Sequence, residues 1–132
     1  MGKKTILVVG AVILNEQNQV LCALRSSEMS SPNLWEFPGG KVENGESHKE
    51  ALHREIIEEL ECEIKVLEQI ENTFFNGERA IINLITYKAR LVSGIPKPKE
   101  HEELRWLPLG DLHKLEWAPA DVPTVRRLQE NF

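Results

Sequence analysis

Three glutamates, Glu55, Glu58 and Glu59, stand three and four residues apart downstream of the Gly39-Gly40 pair. The stretch carrying them opens with Ser47 and, three residues later, Glu50, a capping box that predicts a first helical turn at His48. With successive residues about 100° apart, Leu52, Ile56 and Leu60 form one apolar stripe, with Ile57 at its edge. The glutamates fall in an adjoining arc of about 100°, shared one turn earlier by the small Ala51. One reading is a solvated acidic face on which Arg54 pairs with Glu58 at i,i+4. The other is a cation site. Like charges at i,i+3 and i,i+4 repel, so Glu55 beside Glu58 and Glu59 costs stability unless a cation neutralises them. A Gly-Gly turn ahead of the helix lets main-chain groups approach a ligand closely. Hard oxygen donors of this kind suit Mg²⁺ or Mn²⁺, with waters and substrate phosphates completing the shell. The residue chemistry points to a divalent-metal phosphate site.

The pattern extends on both sides of these acids. From Gly40 the chain reads Gly40, five residues, Glu46, seven residues, then Arg54-Glu55-Ile56-Ile57-Glu58-Glu59-Leu60-Glu61-Cys62. This resembles the Nudix box, G-x5-E-x7-R-E-U-x-E-E-x-G-U with U aliphatic, and every charged position matches at the right spacing. One position departs: Glu61 stands where the family carries glycine. That glycine is expected in the left-handed conformation that closes the helix, where a side chain costs roughly 1 kcal/mol or forces a different exit. The departure bears on the helix terminus and not on the acids before it. Cys62 replaces the last aliphatic residue and is expected in the same buried slot. Residues 34–40, LWEFPGG, are similar to the MutT-type branch of the family, which acts on nucleoside triphosphates. The resemblance runs over residues 8–125.

The elements that must position the box alternate in type. Residues 5–14 are a near-continuous apolar run, read as a strand buried on both faces or as one bent at Gly10. A polar turn at 15–18 precedes a second strand at 20–24, and residues 26–33 form a flexible polar loop that could close over a ligand. After the helix, residues 63–71 read as a strand. Asn76-Gly77 between apolar runs predicts a type I′ hairpin turn, and residues 80–91 a long returning strand. A Pro/Gly loop at 94–98 leads into a last strand. A short helix at 109–115 and an amphipathic helix through Leu128 complete the reading. Strands on both sides of the box helix fit the α/β Nudix fold that the resemblance implies, an α/β/α sandwich with a mixed β-sheet, in a single domain spanning 1–132.

The resemblance also implies roles for individual residues. Glu58 and Glu59, with the Gly39 carbonyl, would hold metal. Glu55 would bind metal or orient the attacking water, with Arg54 holding it in place, and Glu46 would tie the loop to the helix. The run E-H-E-x-x-x-W from Glu100 to Trp106 is similar to the family's loop that delivers one more acid. It assigns Glu100, with Glu103 as second choice, as a further ligand or the base; an acidic loop in solvent is the plain alternative. His101 reads equally as an orienting residue or a base. Arg25 either caps a strand at the surface or contacts phosphate, whose oxygens a guanidinium matches bidentately, and the resemblance favours phosphate. Lys41 is a phosphate position in the MutT branch. Phe37 belongs to the core or lies against a base. Arg79 resembles a position that approaches the base, with a solvent-exposed hairpin arginine equally open. Asp121 matches the position where MutT-type enzymes set an Asn or Asp against the base edge, where a carboxylate can accept from an amine or N–H. It could also cap the last helix, with Pro123 in the first turn.

Composition bounds the rest. The 132 residues, 41% hydrophobic and 28% charged, suffice for one domain with a core and are too few for two. A net charge of −5 argues against non-specific binding to a nucleic-acid polymer or a membrane surface. It would also repel a nucleotide unless metal ions bridge the two. No apolar run approaches a membrane span, and no small-residue cleavage site follows the first apolar stretch. Cys22 and Cys62 are too few and too scattered for a disulfide framework, so a reduced, cytoplasmic compartment is the simplest inference. The implied reaction is Mg²⁺- or Mn²⁺-dependent hydrolysis of a nucleoside triphosphate to monophosphate and pyrophosphate, by a monomer or homodimer. The LWEFPGGKVE and APADVP stretches look most like the 8-oxo-dGTP and cytidine triphosphate pyrophosphohydrolases. The resemblance to an ADP-ribose hydrolase is weaker, because that branch of the family usually carries a proline about fifteen residues after the box and none occurs here between Cys62 and Pro96. A Nudix-like binding module without turnover has no need of the intact acid set.

Overall fold

In the computed structural model, which describes residues 2–130, strand β1 (Lys4–Leu14) is the axis of the molecule. Its apolar run serves two faces at once: Val9, Ala11 and Ile13 point to one side of the sheet, and Val12 and Leu14 to the other. Along its whole length β1 pairs in parallel with β6 (Ala80–Ser93), which is antiparallel to β5 (Glu63–Asn76). On its other edge β1 takes β4 (Gly39–Lys41), and at its end β2 (Gln19–Leu24), both antiparallel. Strand β2 in turn pairs with β3 (Trp35–Glu36) and β7 (Glu103–Pro108). The sheet is therefore mixed.

Helix α1 (His48–Leu60) covers one face and helix α2 (Val122–Glu130) the other. Helix α1 starts as the capping box requires: Ser47 accepts from the Glu50 N–H and the Glu50 carboxylate accepts from the Ser47 N–H. Its stripe of Leu52, Ile56 and Leu60 is fully buried against Val9, Ile13 and Leu21, while Ile57 at the edge remains 41% exposed. Cys62 is buried in the same cluster, and both cysteines are free. Opposite, Trp35, Phe37, Leu112, Trp117, Val125 and Leu128 close the second core, where Phe37 and Trp117 ring centroids lie 4.7 Å apart. A buried Thr86–Thr124 hydroxyl pair at 2.8 Å ties α2 to β6. Short 3-10 turns, Leu109–Lys114 and Pro119–Asp121, lead into α2. Among the described residues no helix is long and apolar enough to cross a membrane.

Three local expectations need correction. Gly39 and Gly40 do not form a turn; they lie in β4, paired with Gly10 and Val9, and neither has positive φ. Glycine is required there by crowding, since a Cβ on Gly39 would sit 1.9 Å from the Val9 carbonyl oxygen. Asn76-Gly77 is not a type I′ turn, which needs positive φ at both residues. Asn76 instead ends β5, and residues 77–79 make a longer connection in which the Gly77 N–H donates to the Ala80 carbonyl at 3.0 Å. Strand β5 also runs beyond the expected end at residue 71 to Asn76, kept continuous through register shifts between Val66 and Glu71.

Glu61 keeps the helix exit that a glycine would make. It is left-handed at φ 55° and ψ 39°, with its N–H donating to the Ile57 carbonyl at 3.1 Å. Its carboxylate lies 3.1 Å from Lys99 and 3.7 Å from Lys97, and the Lys97 N–H donates to the Leu60 carbonyl. The helix end and the loop leading to Glu100 are thereby joined.

Candidate active site

Where α1, β4, β3 and the 97–102 loop meet, carboxylates crowd one cavity of about 450 Å³. Glu55, Glu59, Glu100 and Glu36 line it together with Gly39, and Arg25 and Lys41 add cationic groups to the same lining. Glu59 sits on the buried side of α1 and is only 6% exposed. Burial pushes its carboxyl well above the usual carboxylate range, and the neighbouring Glu55, Glu36 and Glu100 add to the rise. Glu55 packs directly on β4: a Cβ at Gly40 would meet its Oε2 at 2.3 Å.

Arg54 organises the edge of this cluster. Its Nε and Nη2 grip Glu46 at 2.6 and 2.9 Å, its Nη1 donates to Glu55 Oε1 at 2.8 Å, and Nη2 reaches the Lys41 carbonyl at 3.1 Å. The hydrogen bonds from Arg54, then from the Glu43 N–H, hold the Glu46 carboxyl below its ordinary range. Glu46 thus ties the loop to the helix. Glu58 stands apart: its side chain is 59% exposed and its Oε2 lies 3.3 Å from Arg54 Nη1, outside the cavity lining. Glu103 is likewise outside, paired with Arg105 at 2.7 Å.

A second cavity of about 1000 Å³ adjoins the first and shares Arg25, Glu36, Gly39 and Lys41 with it. Its further lining is more apolar, with Leu84, Ala118 and Pro119, and it includes Phe37, Arg79 and Asp121. Phe37 is buried in the core and also borders this space. Arg79 lies on the exposed connection after Gly77. Asp121 is 5% exposed, and its Oδ1 accepts from the Phe37 N–H at 3.0 Å. That bond, and not a cap on α2, is what the Asp121 side chain makes. Burial pushes its carboxyl up to about 8, against the lowering effect of the Phe37 N–H.

Sequence reasoning passed over Glu36. Its Oε1 accepts from the Arg25 guanidinium and its Oε2 lies 2.8 Å from His101 Nε2. A signal was available: in an extended run, an acid between buried Trp35 and Phe37 must face away from that core. Arg25, Lys41, Gly39, Glu55, Glu59 and Glu100 are brought together; Arg79, Phe37 and Asp121 gather around the second space.

The donor set suits a hard dication. Among the described residues no three His, Cys, Asp or Glu side chains are already drawn in around one point. The carboxylates lining the cavity nevertheless add to the rise that burial gives the Glu59 carboxyl, and a dication would offset both the burial of charge and the repulsion among them.

The NUDIX domain profile matches residues 4–128. The chain is 36% identical over 122 residues to the CTP pyrophosphohydrolase of Escherichia coli K12, covering 92% of this chain and 90% of that one. It is 34% identical over 120 residues to the putative 8-oxo-dGTP diphosphatase 2 of Mycobacterium tuberculosis, covering 88% and 82%. Among solved structures, the MutT protein of methicillin-resistant Staphylococcus aureus 252, described as a Nudix hydrolase, superposes with a TM-score of 0.80 at 45% identity, over 99% and 100% of the two chains. The chain therefore belongs to the Nudix family, as a hydrolase of phosphorus-containing anhydrides.

Proposed function

We propose that this chain hydrolyses a nucleoside triphosphate to the monophosphate and pyrophosphate, with Mg²⁺ or Mn²⁺, and that its base is an oxidised purine, as in 8-oxo-dGTP, or cytosine. The observation that carries this is the adjacency of the two cavities, an acidic one and a larger, more apolar one, meeting at Arg25, Glu36, Gly39 and Lys41. A polyphosphate in the first leaves the nucleoside in the second. The names of the relatives in Escherichia coli and Mycobacterium tuberculosis support the same pair of substrates.

Glu55, Glu59 and Glu100, with the Gly39 carbonyl, are the metal ligands of this reading, and Glu58 joins them by turning from Arg54. A bound dication supplies Lewis-acid polarisation of the phosphoryl oxygens and a more acidic water. Arg54 fixes the Glu55 carboxylate, which orients the water or ligates. Glu100 is a further ligand or the base. Lys41 and Arg25 balance phosphate charge, and Phe37, Arg79 and Asp121 border the base. The test is a panel of ordinary and oxidised nucleoside triphosphates with Mg²⁺, resolving pyrophosphate from phosphate. Pyrophosphate release with a preference for 8-oxo-dGTP or CTP is expected; release of orthophosphate alone, or no turnover of any triphosphate, overturns the reading.

A further inference from the structure

We propose that His101 is a positioning residue for substrate binding, acting through the Glu36 carboxylate to hold Arg25 at the polyphosphate. The inference rests on the reading above that Arg25 contacts that group.

His101 follows Glu100, and its side chain is 1% exposed. The loop bearing it is fastened to the end of β2, where the Glu102 N–H donates to the Leu24 carbonyl at 2.9 Å, one residue before Arg25. Glu36 lies between the two side chains and gives one oxygen to each: Oε1 to Arg25 and Oε2 to His101 Nε2 at 2.8 Å. An ionised carboxylate can only accept, so Nε2–H is the donor.

The Arg25 guanidinium is clamped from its other edge as well. Nε donates to the Ser30 carbonyl at 2.6 Å and Nη2 to Ser30 Oγ at 3.0 Å. Of the five N–H groups of a guanidinium, one on each terminal nitrogen is then left for a ligand. An arginine at a strand end ordinarily loses rotamer freedom when it binds phosphate; here that loss is already incurred on folding. Glu36 orients the guanidinium from the cavity side, and a carboxylate held at one oxygen only could rotate about its own bond to Arg25. His101 holds the other oxygen.

A second observation argues that the ring is present for this bond and not for packing. Its other nitrogen, Nδ1, is buried and has no hydrogen-bond partner among the described residues. Burying an unpaired polar atom costs free energy that an apolar side chain in the same space would not incur. The imidazole carries that cost, and its bond to Glu36 offsets it.

The experiment is a double-mutant cycle on the full chain with Mg²⁺ and a turned-over nucleoside triphosphate, assayed below each variant's melting temperature. His101→Ala is expected to raise KM about five- to tenfold and to change kcat less than about twofold. His101→Gln, whose amide nitrogen can replace the Nε2 donor, should recover KM to within about twofold of wild type. In an Arg25→Ala background, His101→Ala should add less than about twofold. If Arg25→Ala raises KM and His101→Ala still adds its full factor, His101 does not act through Arg25 and the proposal fails alone. If Arg25→Ala leaves KM unchanged, the phosphate role of Arg25 fails and takes the proposal with it. A fall in kcat at constant KM also overturns it, because it would place the effect at Glu100. Should His101→Ala not fold, Glu36→Gln removes the charge that holds Arg25 and must raise KM similarly; an unchanged or lower KM there refutes the clamp.

Discussion

The Glu55 carboxylate occupies the space that a side chain at Gly40 would need: an ideal Cβ there would lie 2.3 Å from Glu55 Oε2 and 2.4 Å from its carboxyl carbon. The obstruction is the far end of a flexible side chain, so Gly40→Ala should fold, with Glu55 swinging aside and losing its 2.8 Å bond to Arg54. We expect melting to change little and kcat/KM to fall on the order of 100-fold. Gly39→Ala is the contrasting case, because its Cβ would meet the β1 backbone at 1.9 Å. That variant should lose about 3 kcal/mol or more of stability. Thermal melts and steady-state kinetics on the pair separate the two roles, and wild-type turnover in Gly40→Ala would show that Glu55 need not be held there.

Crowding of Glu59 with Glu55, Glu36 and Glu100 predicts a metal effect on stability. Millimolar Mg²⁺ or Mn²⁺ should raise the melting temperature, by an amount corresponding to about 2.7 kcal/mol at a hundredfold excess over Kd. Glu59→Gln removes a carboxyl whose charged form burial disfavours, so metal-free stability should not fall, and the metal response should be abolished. An unchanged shift in Glu59→Gln would remove Glu59 from the ligand set. Glu58→Gln, on an exposed side chain, should melt like wild type and lose most turnover; near-wild-type rates would leave Glu58 as a partner of Arg54 only.

What the sequence disclosed, and what it did not, follows from the range of the interactions. The Ser47–Glu50 cap and the Leu52-Ile56-Leu60 stripe join residues within one helix or its entry, so spacing alone reveals them, whereas the Arg54 grip on Glu46 takes the folded loop to show. The two-faced burial of β1 was legible from its unbroken apolar run. The Gly39-Gly40 pair was misread as a turn because the demand for glycine comes from Val9 and Glu55, which are remote in sequence. Asp121 meets the Phe37 N–H across 84 positions, and no local pattern distinguishes that partner from a helix N-terminus. Glu36 was hidden for the same reason: its meaning comes from Arg25 and His101 on other strands and loops.

Asp121 predicts a pH dependence whose sign is fixed. Burial holds its carboxyl protonated up to about 8, whereas in the unfolded chain it ionises near the ordinary value of 3.8. Between those values the unfolded state binds fewer protons than the folded one, so this group's contribution lowers stability as pH rises, by up to about 1.4 kcal/mol per pH unit. Asp121→Asn removes the slope, and its melting temperature should exceed wild type by a margin that widens from pH 5 toward about 8. The protonated carboxyl both donates and accepts, as an amide does. Base preference in Asp121→Asn should therefore match wild type near neutrality, while Asp121→Ala should alter preference among bases more than turnover. Uniform loss across all bases would detach Asp121 from base recognition.

Glu61 supplies a test of the helix exit. It adopts the left-handed conformation at φ 55° despite its side chain, and its carboxylate faces Lys99 and Lys97. Glycine relieves the backbone strain and gives up both ion pairs, which are exposed and weakened by salt. Relief of strain should win: Glu61→Gly is expected to melt a few degrees higher than wild type, by more at high salt than at low. Glu61→Gln retains the strain and loses the pairs, so it should melt slightly below wild type at low salt and converge with it at high salt. If Glu61→Gly instead melts lower at every ionic strength, the lysine pairs outweigh the strain. The exit of α1 and the approach to Glu100 would then be secured chiefly by the Glu61 carboxylate.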